Sequence, residues 1–492
     1  MASFWPTTFP LLLYLISNIG LPLTQAHPSR SSKENFISVK NGTFYKDCEP
    51  TYLVSMNYWS AMNLAASDVA GGNLSRFQTE VKQMADRGVN NVRIMAASEA
   101  SGRGIQPFRM YPALQESPGV YNEEIFVGLD RALVEFAKHD ISVIMTLHNF
   151  WQWSGGYSQY VSWATSDSEI PYPPSWDPAL NPPYGDYTTN GTYDEFTQFS
   201  ARFYNDTSIT NTTQTWFRNH IFKVINRVNT ITGVAYKDDP TIMTWELTNE
   251  PQEPPLTNHC EHAFRVVDSA KYIKSLAPHQ LVTVGFEGKN GEWWFKRVHA
   301  PDVIDYACGH LWVQNWGYYD PLDPTDGNLT LAESFATGFL RNLSQWSLDL
   351  KKPVILEEFG MARDNWENVA KGAPTQYYLY SAEANTTHKD RYFKFVISSV
   401  VDYYKKGLGW HGTGPWAYGG IWRPTDAKNK FNMSWAGDPP HEADGWYDLY
   451  DTDNAMQIVQ NQADEVQEFL DSIKTSNSSS CSPKLTSQAN SG

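Results

Sequence analysis

The sequence is poor in cysteine, in basic residues and in long apolar runs. Four cysteines in 492 residues cannot supply most of the stability, which excludes a small disulfide-stabilised scaffold. Lysine and arginine number 38 against 54 aspartates and glutamates, which gives a formal charge of −16. There is no basic stripe to neutralise phosphates, so we expect no nucleic acid as a partner. The apolar fraction of 41% is still enough for a full core, which excludes global disorder.

Sequence motifs for cofactors and metals are also missing. The chain has no H-E-x-x-H, no Walker-type loop and no G-x-G-x-x-G after a strand-like run, and its cysteines lack zinc spacing. The glycine pairs at 155–156 and 419–420 are better interpreted as turns than as phosphate cradles. We therefore predict a site that works with side chains alone, with neither cofactor nor metal.

The one strongly apolar stretch spans residues 9–22, and small residues follow it up to Ala26. It is too short and too interrupted by proline for a membrane span. It lacks a basic region before it, but a secretory signal is its best interpretation. We predict a signal peptide over 1–26, one catalytic domain over 27–474 and a flexible Ser-rich tail over 475–492. After cleavage we expect a secreted, extracellular protein without membrane attachment.

Ten N-x-S/T sequons agree with secretion, although each is weak by itself because such triplets also arise by chance. Together with the leader they predict an extracellular protein that carries N-linked glycans. The sequons begin at Asn41, Asn73, Asn190, Asn205, Asn211, Asn328, Asn342, Asn385, Asn432 and Asn477.

An oxidising compartment would permit two disulfides among Cys48, Cys260, Cys308 and Cys481, in three possible pairings. Buried free thiols are the alternative. A bond between Cys48 and Cys481 is attractive, because the two ends of a barrel chain lie near each other.

Short apolar runs alternate with amphipathic helices along the mature chain, which is typical of a parallel α/β fold. One predicted helix carries Leu74, Phe77, Val81 and Met84 on one face and ends at Gly88, and another closes the fold over 456–473. With eight strands, this pattern predicts a single (β/α)8 barrel whose long βα loops form an open substrate cleft. The strands are expected at 52–56, 89–95, 141–147, 241–248, 281–287, 303–310, 353–359 and 414–418.

The aromatic content is high, with 19 tryptophans and 27 tyrosines, many of them in polar, Gly-rich stretches. Sugar rings have a flat apolar face and polar edges, so indole platforms beside hydrogen-bonding groups suit them. This composition favours a carbohydrate ligand.

Two predicted strands end in acids, at the edge where barrels of this type hold their active groups. The fourth ends T-W-E-L-T-N-E-P (244–251) with Glu250, and the seventh ends P-V-I-L-E-E-F-G (353–360) with Glu357 or Glu358. Glycoside hydrolysis needs two carboxylates that face each other across a sugar. A lone glutamate after a strand would suggest a surface or capping role, but the pair favours catalysis.

The two strand endings resemble those of the retaining (β/α)8 glycosidases of family 5, and the chain is most similar to their endo-β-1,4-mannanases. The resemblance covers nearly the whole mature length. Its motifs are N-Y-W-S-A-M-N-L (57–64), N-N-V-R-I-M (90–95), N-F-W-Q-W-S-G-G (149–156), Y-K-D-D-P-T-I-M-T-W-E-L-T-N-E-P (236–251), H-L-W-V-Q-N-W-G (310–317), L-E-E-F-G (356–360), P-W-A-Y-G-G (415–420) and G-D-P-P-H-E (437–442).

This resemblance implies cleavage of β-1,4-mannosidic bonds in mannan, glucomannan or galactomannan by double displacement. The alternatives are a β-glucanase or cellulase of the same fold, and an inactive sugar-binding barrel. The two carboxylates count against the inactive barrel.

The resemblance also implies roles for five residues. Glu250 would be the acid/base and Glu358 the nucleophile, which requires a raised pKa for the first and a low pKa for the second. Asn249 would bond the 2-hydroxyl of the sugar. Arg93 would keep the nucleophile ionised through charge-assisted hydrogen bonds, and His310 would contact the substrate.

Further substrate contacts are predicted around this centre. Trp312 stands where many members of the wider family have tyrosine, and an indole N–H can donate but cannot ionise as a hydroxyl does. Trp416 resembles the platform under the sugar at the cleavage point. Either His148 or Asn149 is expected to face the substrate, and Arg423 is an optional contact. The candidate stacking residues at outer subsites are Trp59, Trp151, Trp153 and Trp316.

The adjacent acids Glu357 and Glu358 require a choice, because successive strand residues point to opposite faces. One should face the barrel axis and the other the helices. The apolar neighbours do not decide which, since a buried parallel strand is apolar on both faces. The resemblance selects Glu358 and implies that Glu357 bonds a backbone or cationic group behind the strand.

Overall fold

A computed structural model describes residues 36–106, 108–173, 191–252, 260–320, 325–363 and 385–476. The predicted signal peptide and the tail beyond 476 lie outside the described residues, as do Asn190 and Asn477. The central sheet has eight parallel strands, which confirms the predicted (β/α)8 barrel class. These strands, β1 to β8, are Leu53–Asn57, Asn91–Met95, Ser142–Thr146, Ile242–Glu246, Leu281–Thr283, Ala307–Leu311, Val354–Phe359 and Trp410–Pro415.

The strands pair in the order β5-β4-β3-β2-β1-β8-β7-β6. Backbone bonds beyond the regular ladder connect the two ends of this order: Asp305 N–H donates to Val282 O over 2.9 Å, and His310 N–H donates to Glu287 O over 3.0 Å. Because all strands are parallel, their carboxyl ends meet at one end of the barrel.

Helices surround the sheet, and shorter elements decorate it. Among the described residues, 3₁₀ turns lie at Asp68–Ala70, Gln152–Ser154 and Tyr236–Asp238. Two small sheets pair Gln115–Ser117 with Val120–Tyr121 and Tyr418–Gly420 with Leu449–Tyr450. In the described ranges the helices, α1 to α11, are Ala61–Leu64, Leu74–Asp86, Glu123–Lys138, Gly156–Ala164, Tyr193–Asn205, Thr210–Ile225, Cys260–Leu276, Glu292–His299, Asp326–Leu350, Thr387–Lys405 and Asn454–Ser476.

A small apolar cluster fills the amino-terminal end of the barrel. An antiparallel sheet of Ser38–Lys40, Thr43–Lys46 and Glu49–Thr51 precedes β1. Its Phe44 packs edge-on against Tyr306, with 5.2 Å between ring centroids. The cluster consists of Ile37, Phe44, Leu53, Met243, Leu281, Tyr306 and Ile355. Apolar side chains therefore close the barrel axis at this end, and the site is expected at the carboxyl end of the strands.

The predicted strands overlap the observed ones, but the fifth ends at Thr283 where 287 was expected, and the sixth begins at Ala307 where 303 was expected. The eighth strand is displaced as well. We expected it at 414–418, and it runs over Trp410–Pro415. Its sequence W-H-G-T-G-P has no apolar run, so hydrophobic patterning could not find its start. The two predicted helices are confirmed as α2 and α11, and Gly88 follows α2 with a φ of +78°.

The cysteine prediction is corrected at one position. Cys308 is a buried free thiol whose Sγ lies 3.5 Å from His299 Nε2 and accepts from Phe286 N–H over 3.2 Å. The prediction of two disulfides would use all four cysteines, so it is wrong. At Cys308 the alternative, a buried free thiol, is confirmed. Cys481 and the side chain of Cys260 lie outside the described residues, so a Cys48–Cys481 bond stays a prediction.

The described segments include no helix with the length and apolar character needed to cross a bilayer.

Candidate active site

A cleft of about 300 Å³ opens at the carboxyl ends of the strands. It is lined by aromatic rings, amides and ionisable groups from several βα loops. The lining residues are Trp151, Gln152, Tyr193, Asn249, Glu250, Glu287, Lys289, Trp312, Asn315, Trp316, Glu358, Trp416, His441 and Glu442.

Glu250 and Glu358 converge on one imidazole at the floor of this cleft. His310, in β6, is fully buried, and its Nδ1 lies 2.7 Å from Glu250 Oε1 and 3.3 Å from Glu358 Oε2. One nitrogen or oxygen atom from each of the three side chains lies within 4.8 Å of the others. The loop after β4 holds Glu250 in place, because its N–H donates to Gly285 O over 2.9 Å. The two acids predicted from separate strands thus share one site.

A spacing of this kind can also suit a metal ion, but here the oxygens already have cationic and N–H partners. Arg93 donates to one oxygen of Glu358, and Trp312 donates to the other. Glu250 accepts from Trp151 Nε1 over 2.7 Å. We therefore interpret the cluster as a carboxylate pair held by hydrogen bonds.

Arg93 connects four side chains below the cleft. Its Nε and Nη2 donate to both oxygens of Glu246, over 2.7 and 2.6 Å. Nη2 also donates to Asn249 Oδ1 over 2.7 Å, and Nη1 donates to Asn57 Oδ1 over 3.1 Å and to Glu358. The planar guanidinium can satisfy several acceptors in a fixed geometry. It therefore sets the positions of the acid on β7 and the amide after β4 together.

These contacts control the charge of the cluster. Burial alone would raise the pKa of Glu358, but His310 and Arg93 lower it below the ordinary value, so this carboxylate is ionised. Burial opposes a charge on His310 as well, yet the carboxylates of Glu358, Glu250 and Glu357 raise its pKa well above the usual range. Burial raises the pKa of Glu246 to about 7 despite its bonds to Arg93.

Three further tryptophans line the cleft with the two acids, Trp312 and Trp316 from the loop after β6 and Trp416 from the loop after β8. Trp312 Nε1 donates to Glu358 Oε2 over 3.2 Å, so an indole donor stands where the wider family resemblance implied a tyrosine hydroxyl. Trp416 packs edge-on against Trp312 at 6.2 Å. Trp316 lies further out, with Lys289 Nζ 5.6 Å from its ring centroid. These rings can offer apolar faces to a sugar, and the N–H of Trp312 also orients Glu358.

The GH family 5 beta-mannosidase-like model matches residues 34–471 of the chain. The chain belongs to this family. It is a glycoside hydrolase with a (β/α)8 barrel.

Curated relatives support the same placement. The chain is 32% identical over 373 residues to mannan endo-1,4-beta-mannosidase 4 of Oryza sativa subsp. japonica, covering 70% of this chain and 68% of that protein. It is 31% identical over 351 residues to mannan endo-1,4-beta-mannosidase 1 of Solanum lycopersicum, covering 67% of this chain and 75% of that one.

A solved structure with a higher identity is the glycoside hydrolase family 5 mannosidase of Rhizomucor miehei. It is 42% identical, with a TM-score of 0.81, and the match covers 90% of this chain and 100% of that chain. A mutant of the same enzyme was solved in complex with mannosyl-fructose. The endo-1,4-beta-mannanase of that organism shares the fold at 20% identity, with a TM-score of 0.59.

Two tryptophans predicted at outer subsites of the hydrolase lie beneath the cleft lining instead. Trp59 is 3% exposed and donates from Nε1 to Gly437 O over 2.7 Å. Trp153 is equally buried and packs edge-on against Trp59 and Trp416, at 5.6 and 6.3 Å. Trp153 therefore packs directly against the Trp416 ring, and Trp59 packs behind Trp153. Arg423 is also placed elsewhere, because it pairs with Asp451 over 2.6 Å and caps nearby carbonyls.

Of the two neighbours after β3, Asn149 reaches the site and His148 does not. Asn149 Oδ1 accepts from Asn249 Nδ2 over 3.1 Å, which orients the amide that lines the cleft. His148 is fully buried on the other side of the chain, between aromatic rings that include Tyr160 and Phe203 at 4.6 and 5.1 Å. Successive residues point in opposite directions, so only one of them could face the substrate.

Glu99 lies beside His148 and gives the fold a pH-dependent element. Burial raises the pKa of Glu99 from 4.5 to about 8, so this acid is neutral in the native state. The pKa of Glu99 is higher in the native state than in the unfolded state. The contribution of Glu99 to the free energy of unfolding is therefore fully present below pH 4.5 and is lost as the pH rises through about 8. We expect Glu99→Gln to remove this decline, measured as the free energy of unfolding in urea across that window.

The matched control for this prediction is Glu116→Gln, at an exposed position nearby, which should decline with pH like the wild type. Parallel declines for Glu99→Gln and wild type would contradict a neutral native Glu99.

Sequence reasoning missed several ionisable residues of the site, Tyr193 and Lys289 in the cleft lining among them. Glu246 is bound by Arg93, and Glu287 follows β5, where Lys289 Nζ donates to it over 2.8 Å. Both are acids on or after predicted strands, so the argument used for Glu250 would have found them. His441 and Glu442 come from the long loop after β8, and burial raises the pKa of Glu442 to about 8. Their only signal in the sequence is the G-D-P-P-H-E motif of the family resemblance.

Proposed function

We propose that this hydrolase cleaves internal β-1,4-mannosidic bonds of mannan-type polysaccharides by double displacement, with retention at the anomeric carbon. The supporting observation is the convergence of Glu250 and Glu358 on His310. Retaining enzymes hold their carboxyl groups about 5–5.5 Å apart, and inverting enzymes about 6.5–9.5 Å, which leaves room for a water. One carboxylate oxygen of Glu250 lies within 4.8 Å of one carboxylate oxygen of Glu358, and this short spacing favours the retaining arrangement.

The proposed reaction has two steps, the formation of a glycosyl ester on Glu358 and its hydrolysis. Glu250 protonates the leaving oxygen while the ionised Glu358 attacks the anomeric carbon and forms a glycosyl ester. Arg93, His310 and Trp312 donate to Glu358 or lie close to it, so they favour its charged form before attack. Glu250, now a carboxylate, then removes a proton from the water that cleaves the ester.

Mannan as the substrate is supported by the relatives from rice and tomato, which are named mannan endo-1,4-beta-mannosidases. Asn249 lies beside Glu250 in the cleft, and its hydrogen bonds with Arg93 and Asn149 fix its amide. This amide would bond the 2-hydroxyl, the group that distinguishes a mannoside from a glucoside. The apolar leader and the sequons support secretion and N-glycosylation, so the enzyme would act on polysaccharide outside the cell.

A second candidate is the release of single mannosyl units from chain ends. It is favoured by the 42% identity to the Rhizomucor miehei mannosidase, which is higher than the identity to the rice and tomato mannanases. The long loop after β8 also brings His441 and Glu442 to the cleft, where they would limit the space for further sugar units.

Product analysis separates these functions. On a soluble mannan, internal cleavage lowers viscosity faster than it releases reducing ends, and on a linear manno-oligosaccharide it yields intermediate lengths. Release from chain ends yields mannose with little loss of viscosity. Carboxymethyl-cellulose serves as the matched β-glucan. If the enzyme cleaves it in preference to mannan, the substrate is a β-glucan and the proposal of mannan is wrong. Binding of mannan without hydrolysis would indicate an inactive sugar-binding barrel.

Retention makes a stereochemical prediction. Proton NMR of the first product from an aryl β-mannoside or a β-linked oligosaccharide should show the β-anomer before mutarotation, because two inversions at one carbon restore its configuration. An added alcohol should compete with water and accept the sugar. An early α-anomer would show direct attack by water and contradict the covalent intermediate.

A further inference from the structure

Glu357, next to the proposed nucleophile, occupies an irregular position in strand β7. In the pairing with β6, Gly309 is opposite Leu356, but the next residue, His310, is opposite Glu358. Glu357 is therefore the extra residue of a bulge. Such a bulge interrupts alternation and redirects a side chain. This corrects the expectation that Glu357 lies behind the strand.

The carboxylate of Glu357 lies inside the barrel, 2% exposed. Its Oε1 accepts from the Tyr306 hydroxyl over 3.2 Å, and its Oε2 lies 3.7 Å from His310 Nε2. Neither Oε2 nor Nε2 has a hydrogen-bond partner among the described residues. Two buried polar atoms without other partners, one an acceptor and one a possible N–H, face each other here. Buried groups of this kind are costly unless they pair.

The imidazole of His310 is thus enclosed by carboxylates at both nitrogens. On the opposite side from Glu357, Nδ1 lies 2.7 Å from Glu250 and 3.3 Å from Glu358. A neutral imidazole carries one N–H and can satisfy only one of these sides, whereas the imidazolium donates from both nitrogens.

We propose that Glu357 is a positioning residue that holds His310 as an imidazolium from its Nε2 side, and so directs the Nδ1–H at the two acids and keeps Glu358 ionised. This role rests on the proposed functions of Glu250 and Glu358. Glu357 does not line the cleft and acts only through His310. Its own backbone is fixed, since Asn57 Nδ2 donates to Glu357 O over 2.8 Å.

The other charged groups around Glu357 and His310 are bound elsewhere or neutral, so Glu357 is the acid that can pair with Nε2 of His310. Among the described residues, other titratable or charged groups near His310 and its acids include Arg93, Glu246, Glu287, Tyr306, Cys308 and Glu442. Glu287 is bound by Lys289 Nζ over 2.8 Å. Arg93 binds both oxygens of Glu246, so that acid is already paired. Tyr306 and Cys308 are neutral donors, because burial raises the pKa of each well above its usual value.

The first measurement is the pH dependence of kcat/KM on an aryl β-mannoside for wild type, Glu357→Gln, Glu357→Asp and Tyr306→Phe. In Glu357→Gln the amide oxygen can still accept from Nε2–H, but the negative charge that favours the imidazolium is gone. His310 then loses its charge, and Glu358 becomes harder to ionise. We expect the acid limb to move up by about one pH unit, with kcat at the plateau retained. Glu357→Asp should restore part of the shift. Tyr306→Phe removes a bond to Glu357 but no charge, and should leave the limb in place.

The second measurement needs no activity, so it stays decisive if the proposed function fails. With ¹⁵N-labelled histidine, and the His310 signals assigned by their loss in His310→Gln, wild type at neutral pH should show two protonated ring nitrogens. Glu357→Gln should show a neutral ring. A neutral His310 in wild type would overturn the proposal, as would an unchanged ring charge or acid limb in Glu357→Gln. If that variant does not fold, the wild-type spectrum and Glu357→Asp give the same decision.

Discussion

Glu250→Gln is expected to reduce cleavage of mannan by about 10² to 10⁴-fold, the usual contribution of a positioned general acid. Glutamine keeps the shape of the cleft and can still meet His310 and Trp151, but it has no proton to give to the leaving oxygen. An aryl β-mannoside with a good leaving group needs little protonation, so its first step should suffer far less. The loss of kcat/KM is measured on both substrates. A much larger loss on mannan than on the aryl β-mannoside shows that Glu250 acts as the general acid.

The matched control is Glu468→Gln on α11, an exposed glutamate that should change neither rate. Equal losses on polymer and aryl substrate would show that Glu250 contributes to binding or structure and not to proton transfer. Polymer hydrolysis near the wild-type rate would remove the assignment altogether.

Glu358→Gly should abolish turnover on both substrates, with a loss beyond about 10⁴-fold, because no proton transfer can replace the missing nucleophile. Arg93 and His310 would then surround an empty anionic position. Azide is small and negatively charged, so it should occupy this position and restore cleavage of an activated aryl β-mannoside. The product should be the α-mannosyl azide, since one inversion occurs.

A parallel Glu250→Gly variant distinguishes the two acids. There the glycosyl ester still forms on Glu358, and azide attacks it from the opposite side, giving the β-mannosyl azide after two inversions. The anomer of each azide product, identified by NMR, therefore assigns the face on which each carboxylate lies. The same anomer from both variants would mean that one of the two roles is wrong.

The position of the two acids was predictable because a parallel barrel imposes it. Buried parallel strands are apolar on both faces, so an acid directly after such a run marks the strand end. The apolar runs alone therefore place Glu250 and the adjacent acids Glu357 and Glu358 at the same edge of the barrel, and the family resemblance selects Glu358. This signal loses precision at β8, where W-H-G-T-G-P has no apolar run.

Residues that reach the cleft by long-range contacts were not predictable in the same way. Glu442 comes from a loop far along the chain, and only the closed barrel brings it near Glu358. Trp59 and Trp153 carry the same aromatic signal as Trp316, but packing decides which ring reaches the cleft and which supports another ring.

The amino-acid sequence by itself determined the barrel class, the two acids and the family, because these depend on periodicity and on motifs that are local in the chain. The tertiary structure decided which of two adjacent side chains faces the active site. The alternation of side chains along a strand correctly predicts that His148 and Asn149 point to opposite sides. Only the pairing of strands showed which of the two faces the site. At Glu357 and Glu358 the alternation itself fails, since the bulge depends on the register with β6. Register is a property of two strands, and one strand's sequence does not contain it.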